Sequence, residues 1–198
     1  KLRYATSPAE PQHEFLAGDR WQHVYASNAV YDHGHHGNAI LSRHPISQSG
    51  NVDVSAHRFE QRGLLHCVIE PDGAHRVHAL CVHLGLTARG RRQQYAMLAE
   101  HIRRTIPAED GLIVAGDFND WYNRAEEQWS RALGLHEAHS VIHGRPARSF
   151  PAAFPLLRLD RIYVRGVDVR EVKLHSGPPW SRVSDHAALT ARLVLPAR

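Results

Sequence analysis

Apolar positions recur along this chain with two periods, and the changes between them divide it into short elements. After a polar entry segment containing Pro8 and Pro11, residues 13–21 place Phe15, Leu16 and Trp21 at roughly helical spacing and predict a short helix. Alternation then takes over. Residues 22–27, 38–43, 46–55, 64–70 and 76–84 are β-prone segments separated by Gly, Pro, Asp and Asn. Pro71-Asp72-Gly73 between two of them predicts a hairpin turn. Residues 88–106 put Tyr95, Leu98, His101 and Ile102 on one stripe, with Arg and Glu on the other face and Pro107 beyond the end, which predicts the main helix. Residues 112–116 are apolar throughout and read as a central or parallel strand. A second helix is predicted over 124–133, stopped by Gly134, and strands over 160–165, 167–175 and 187–195. Strand-rich α/β alternation with both hairpins and crossovers predicts a layered α/β sandwich.

Three predicted strands end in residues capable of catalysis. One runs into His83, another into Asp117-Phe118-Asn119-Asp120, and Ser184-Asp185-His186 precedes the last. Function in α/β proteins collects where strands hand over to loops, so these ends are expected to share a rim. Alternation points Asp117 and Asn119 to one side and turns Phe118 into packing. An Asp that orients water beside an amide that donates to developing charge suits hydrolysis, although the same residues also make turns. Asp185 is a hard oxygen ligand and His186 a proton carrier near neutral pH, or the pair is a surface feature. Asp160 is placed either to orient a His through its other N–H or to pair with Arg161.

Composition bounds the class. The 198 residues are 42% hydrophobic and 22% charged, which fits a globular domain and excludes disorder, and no repeat or linker divides it. No apolar run approaches the roughly 18 residues of a membrane helix. Basic residues exceed acidic ones by four, and 22 of the 24 are Arg, which fits an anionic substrate or, equally, codon bias. Cys67 and Cys81 offer neither a disulfide framework nor a CxxC zinc pair, so a reducing, cytoplasmic location is expected. Lys1-Leu2-Arg3 is neither a signal peptide nor an initiating Met.

The order of motifs says more than each alone. Gly37 to Ile46 (Gly-Asn-Ala-Ile-Leu-Ser-Arg-His-Pro-Ile), Val82-His83-Leu84, Gly116-Asp117-Phe118-Asn119, Leu159-Asp160-Arg161 and Ser184-Asp185-His186 follow one another. In that order the chain resembles the endonuclease/exonuclease/phosphatase superfamily from about Phe15 to Leu195. The resemblance implies a four-layer, DNase I-like α/β sandwich, taken as one domain over 1–198, and phosphoester hydrolysis dependent on Mg²⁺, with Mn²⁺ as an alternative. It implies Asp117 as the water-orienting carboxylate, Asn119 and His83 as phosphate contacts, and His186 as base or phosphate stabiliser buttressed by Asp160. Asp185 is implied as a metal-linked carboxylate, with Asn38 and Arg43 as substrate-binding residues. Nucleic acid, a phospholipid headgroup and a small phosphate ester are all open as substrates.

One departure stands out. The family carries an Asn and then a metal-binding Glu on strands upstream of Gly37, and no carboxylate before Gly37 lies in an apolar strand here. The chain is therefore expected to be an N-terminally truncated member that binds Mg²⁺ poorly by itself. The rival expectation is a non-catalytic module that holds anionic polymer or a membrane surface through its Arg-rich face. Three further features stay open. Asp32-His33-Gly34-His35-His36 is read as a loop at the site rather than a zinc centre. Arg89 to Arg92 either steer anions or form a solvated face. Trp121, Tyr122 and Trp129 either stack on substrate or pack in the core.

Overall fold

The computed structural model describes residues 11–31, 34–57, 60–122, 129 and 131–197. Its centre is a six-stranded sheet in the order β3-β4-β5-β6-β8-β7. These strands are β3 (Ile46–Asp53), β4 (Gly63–Asp72), β5 (His75–His83), β6 (Gly111–Asp117), β7 (His136–Glu137) and β8 (Asp160–Arg165). The hairpin turn predicted at 71–73 forms slightly later: Pro71 and Asp72 end β4, residues 73 and 74 make the turn, and Asp72 lies opposite His75 in the antiparallel β4–β5 hairpin. The crossover to β6 is the main helix α2 (Ala88–Thr105), so β6 runs parallel to β5 and antiparallel to β8. That places the wholly apolar 112–116 segment in mid-sheet, with Leu112 and Val114 fully buried in the core beneath α2.

Alternation along β4 sorts its side chains between two cores. Leu64 joins Leu80, Val82, Leu98, Ile102 and Val114 beneath α2, whereas Leu65 and Cys67 turn to the opposite face. There they meet Ala26, Val24 and Ile40 of a separate hairpin, β1 (Gln22–Tyr31) and β2 (Gly34–Ser42). A second two-stranded ladder, β9 (Asp168–His175) with β10 (Ala188–Val194), lies beside β8. Outside the β1–β2 hairpin sits α1 (Gln12–Ala17), whose His13 ring stacks on Tyr25. Helix, sheet, ladders and helix make the expected layered sandwich. Two short helices, α3 (Ala138–His143) and α4 (Trp180–Val183), complete the described elements. Of the helix predicted over 124–133, Trp129 and residues 131–133 are helical and the rest lies outside the described residues.

Helix α2 is fastened to the sheet at both ends. Thr87 caps its start through Gly90 N–H, and buried Arg91 donates to the carbonyls of Gly85 and Leu86. Arg91 is thus a structural residue rather than an anion-steering one, whereas Arg89 and Arg92 are exposed, as both the steering and the solvated-face readings require. Nearer the other end a chain of imidazoles crosses the layers. His101 Nε2 meets His66 Nδ1 at 3.1 Å, His66 Nε2 meets His78 Nδ1 at 2.8 Å, and His78 Nε2 meets Asp110 at 3.1 Å. Burial, with the nearby His78 and His101, lowers the His66 pKa to about 4. An unfolded His titrates near 6.5, so the unfolded state takes up more protons between those values. Stability should therefore fall as pH drops from about 6.5 to 4. Thermal melts over that window should show the decline, and His66→Gln should flatten it; an equally steep decline in the variant would assign it to other groups.

Candidate active site

Strands β5 and β6 deliver the first two residues. Their parallel register sets His83 beside Asp117, and His83 Nε2 lies 3.5 Å from Asp117 Oδ2. Gly116, one residue earlier, has φ of 143°, and a Cβ there would strike the Val82 carbonyl oxygen. Only glycine lets the β6 end approach β5 so closely. Phe118 then turns into the core against Tyr95, Trp129 and Tyr163, which anchors the turn. Asn119 takes a left-handed φ of 49°, its N–H donates to Asp117 Oδ1 at 2.9 Å, and its Nδ2 donates to Leu84 O at 3.0 Å. The motif is a turn, and as that turn it holds the Asp117 carboxylate at the strand end beside His83, so the two readings of Asp117 and Asn119 do not exclude one another.

The antiparallel β6–β8 register places Asp160 opposite Asp117. His186 arrives on the loop before β10 and bonds Asp160 Oδ2 through Nδ1 at 2.7 Å. Of the two fates open to Asp160, the structure has the His pairing, while buried Arg161 donates to the backbone carbonyls of Asp160 and Asp120. Ser149 ties these pieces together, which the sequence did not announce. Its hydroxyl accepts the N–H groups of Leu159 and Asp160, and its carbonyl accepts from Ala187. Phe150 packs its ring 4.9 Å from His186. Asp185 follows on the same loop with an exposed side chain, and its carbonyl accepts from Ala152 N–H.

Asn38 is buried, and its Nδ2 donates to Gly63 O at 2.8 Å and Cys81 O at 3.0 Å. It lines a cavity of about 280 Å³ with His36, Gln61, Arg62 and His83. Arg62 beside His83 is a cavity-lining residue that sequence reasoning did not single out. It sits in the approach to β4, anchored to Glu60 at 3.0 Å, and no motif flags it. Arg43 is exposed in the turn beyond β2, with its guanidinium 4.6 Å from the Trp21 ring centroid, a cation–π contact. The 34–36 stretch is strand rather than loop, paired with β1 (Val30↔His35, Ala29↔His36); Asp32 and His33 lie outside the described residues. Trp129 is fully buried, whereas Trp121 and Tyr122 are exposed.

Electrostatics splits the titrating groups. The hydrogen bond to Asp160 raises the His186 pKa above the ordinary imidazole range, helped by the charges of Asp160, Asp117 and Asp185. His83 goes the other way, lowered by desolvation on its inner side and by the Arg62 guanidinium. Burial raises Asp117, with the Asp160 charge adding to it and the Asn119 N–H opposing. Neighbouring groups pushed apart in this way can serve as acid and base together. Asp117 and Asp160, facing across two strands, also form an oxygen-donor pair of the kind a hard divalent cation neutralises.

The mixed sheet thus gathers two carboxylates, two imidazoles and an amide at its strand ends. Residues 5–186 match the Endonuclease/Exonuclease/phosphatase family, and the chain belongs to that family. It is 45% identical over 190 residues to protein YbhP of Escherichia coli (strain K12), covering 95% of this chain and 75% of that one. Among solved structures, an endonuclease/exonuclease/phosphatase from Beutenbergia cavernae DSM 12333 superposes with a TM-score of 0.71 at 18% identity. That match covers 92% of this chain, which spans 56% of the Beutenbergia chain. The human nocturnin catalytic domain, determined with a bound sulfate anion, gives 0.72 at 18% identity over 90% of this chain and 75% of its own. These likenesses establish the DNase I-like fold. Among the described residues no helix is long and apolar enough to cross a membrane.

Proposed function

We propose that the protein hydrolyses phosphoester bonds with help from a divalent cation, Mg²⁺ or Mn²⁺, at the rim formed by His83, Asp117, Asn119, Asp160, Asp185 and His186. The observation that carries this reading is the convergence of the β5, β6 and β8 ends, where His83 faces Asp117 and Asp160 holds His186. Asp117 accepts a proton from the attacking water, a role its raised pKa suits. His186, kept cationic by Asp160, stabilises negative charge on the phosphoryl oxygens. His83, held neutral beside Arg62, donates to the phosphate or the leaving group. Asn119 has one amide hydrogen bonded to Leu84 and a second left for a phosphoryl oxygen. Asn38 and Arg62 line the cavity beside His83 and border the substrate.

The donor set fits a hard cation, which is commonly held by one or two carboxylates, waters and the substrate phosphate. Asp185 is the metal-linked carboxylate in this reading, with Asp117 and Asp160 contributing negative charge. When bound, the ion supplies charge neutralisation at the phosphoryl group. The substrate is an anionic phosphoester: nucleic acid, a phospholipid headgroup or a small phosphate ester.

Hydrolysis of bis-p-nitrophenyl phosphate, p-nitrophenyl phosphate, plasmid DNA and phospholipid, with and without Mg²⁺ or Mn²⁺, tests the proposal on the protein made from its natural reading frame. At least one substrate should be turned over only with the ion. The pH profile should have an acid limb above the ordinary carboxylate range, since Asp117 must lose its proton. Its alkaline limb should lie above the ordinary imidazole range, since His186 must keep its own. No ion-dependent turnover on any of the four would support the rival reading, a binding module.

A further inference from the structure

Outside the rim, one cluster of donor atoms answers to no role described above. His13 and Glu14 on α1 and His23 on β1 each bring one donor atom within 4.8 Å of the other two. His13 Nε2 stands 3.8 Å from Glu14 Oε1, too far for a hydrogen bond. Among the described residues, no hydrogen bond reaches any of these three side chains. The His13 ring is nevertheless fixed. It stacks on Tyr25 at 4.5 Å and 12°, and it meets His23 edge-on at 5.3 Å. Tyr25 is held in turn by a 2.6 Å hydrogen bond to His35 Nδ1. The ring is thus held with its nitrogen close to a carboxylate and a second imidazole and hydrogen-bonded to neither.

From these contacts we infer a second cation site, built from His13, Glu14 and His23 and separate from the catalytic rim. Two imidazole nitrogens and one carboxylate oxygen select a borderline transition metal such as Zn²⁺ over Mg²⁺. Tetrahedral coordination would bring the donors to about 3.3 Å from one another, given metal–ligand bonds of roughly 2.0–2.1 Å. Rotation of the exposed Glu14 and His23 side chains can supply that closure while His13 stays on Tyr25. The fourth position is left to water. Bound there, the ion joins α1 to β1 across the 18–21 connection and closes a small loop at the edge of the sandwich.

Equilibrium dialysis against Zn²⁺, with metal counted per chain, tests the site, and Co²⁺ substitution supplies a signature through the strong visible bands of a tetrahedral ion. The wild-type protein should bind one ion at this site, and its melting temperature should rise with Zn²⁺. Glu14→Gln and His23→Gln, both at exposed positions, should each lower affinity at least tenfold and abolish the Co²⁺ bands. Asp117→Asn and Asp185→Asn, which touch the rim alone, should leave the tetrahedral Co²⁺ bands unchanged. Absence of zinc binding by the wild type would overturn the inference. So would tetrahedral Co²⁺ bands that survive both Gln variants, because the ion would then sit among other histidines, or bands lost in Asp185→Asn, which would move it to the rim.

Discussion

Asp117→Asn should reduce turnover by about 10²–10⁴-fold, the range expected when a general base is removed. The fold should be kept. Asn preserves the shape and the Oδ1 acceptor used by the Asn119 N–H, so the turn after β6 keeps its bond. Burial raises the Asp117 pKa, which means that its charged form is disfavoured in the folded protein. A carboxyl raised above its unfolded value near 3.9 costs stability at all pH values above its folded pKa. The neutral variant should therefore melt at the same temperature as the wild type or higher at pH 7. Loss of activity together with unchanged or increased stability separates a chemical role from a structural one. Turnover within tenfold of wild type would remove Asp117 from the mechanism.

The second large effect belongs to a pair. His186→Ala should lower turnover on the scale of Asp117→Asn. Asp160→Ala should lower it as well, because the 2.7 Å bond to Nδ1 fixes the ring and keeps it charged. The double variant should be little worse than His186→Ala alone, since a buttress matters only through the residue it holds. Fully additive losses would show that the two act separately. Asp160→Asn adds a reading that a packing role would not give: the alkaline limb of the pH profile should move down toward the ordinary imidazole range. The pairing contributes stability below the unfolded His value near 6.5, and that contribution fades as pH rises through the higher folded value.

Much of this frame was legible along the chain because its signals are local. Continuous apolar character marked β6 as central, the stripe through Tyr95, Leu98 and Ile102 defined α2, and Pro71-Asp72-Gly73 set the β4–β5 hairpin. Once β5 and β6 are neighbours, His83 and Asp117 must meet, so the rim followed from where strands end. What was not legible depends on contacts between distant segments. Helix α3 is six residues long and is held by Glu137, whose carboxylate accepts the N–H groups of His139 and Ser140 at its start. Ser149 and Arg62 carry no motif, and their parts at the rim arise from loops that meet only after folding. The cation–π contact of Arg43 with Trp21, far away in sequence, is of the same kind.

The two sulfur atoms on the inner face of the β4–β5 hairpin bear on how the protein tolerates oxidants. Cys67 is fully enclosed, and Cys81 is partly enclosed on the same side of the sheet. Burial pushes both thiols up to about 11. Oxidation and disulfide exchange proceed through the thiolate, and at pH 8 only about one such group in a thousand is in that form. Peroxide and glutathione therefore meet neither the required charge state nor, at Cys67, an open path. Cysteine serves here as a small apolar filler, and these two thiols are insulated from the redox state of their surroundings.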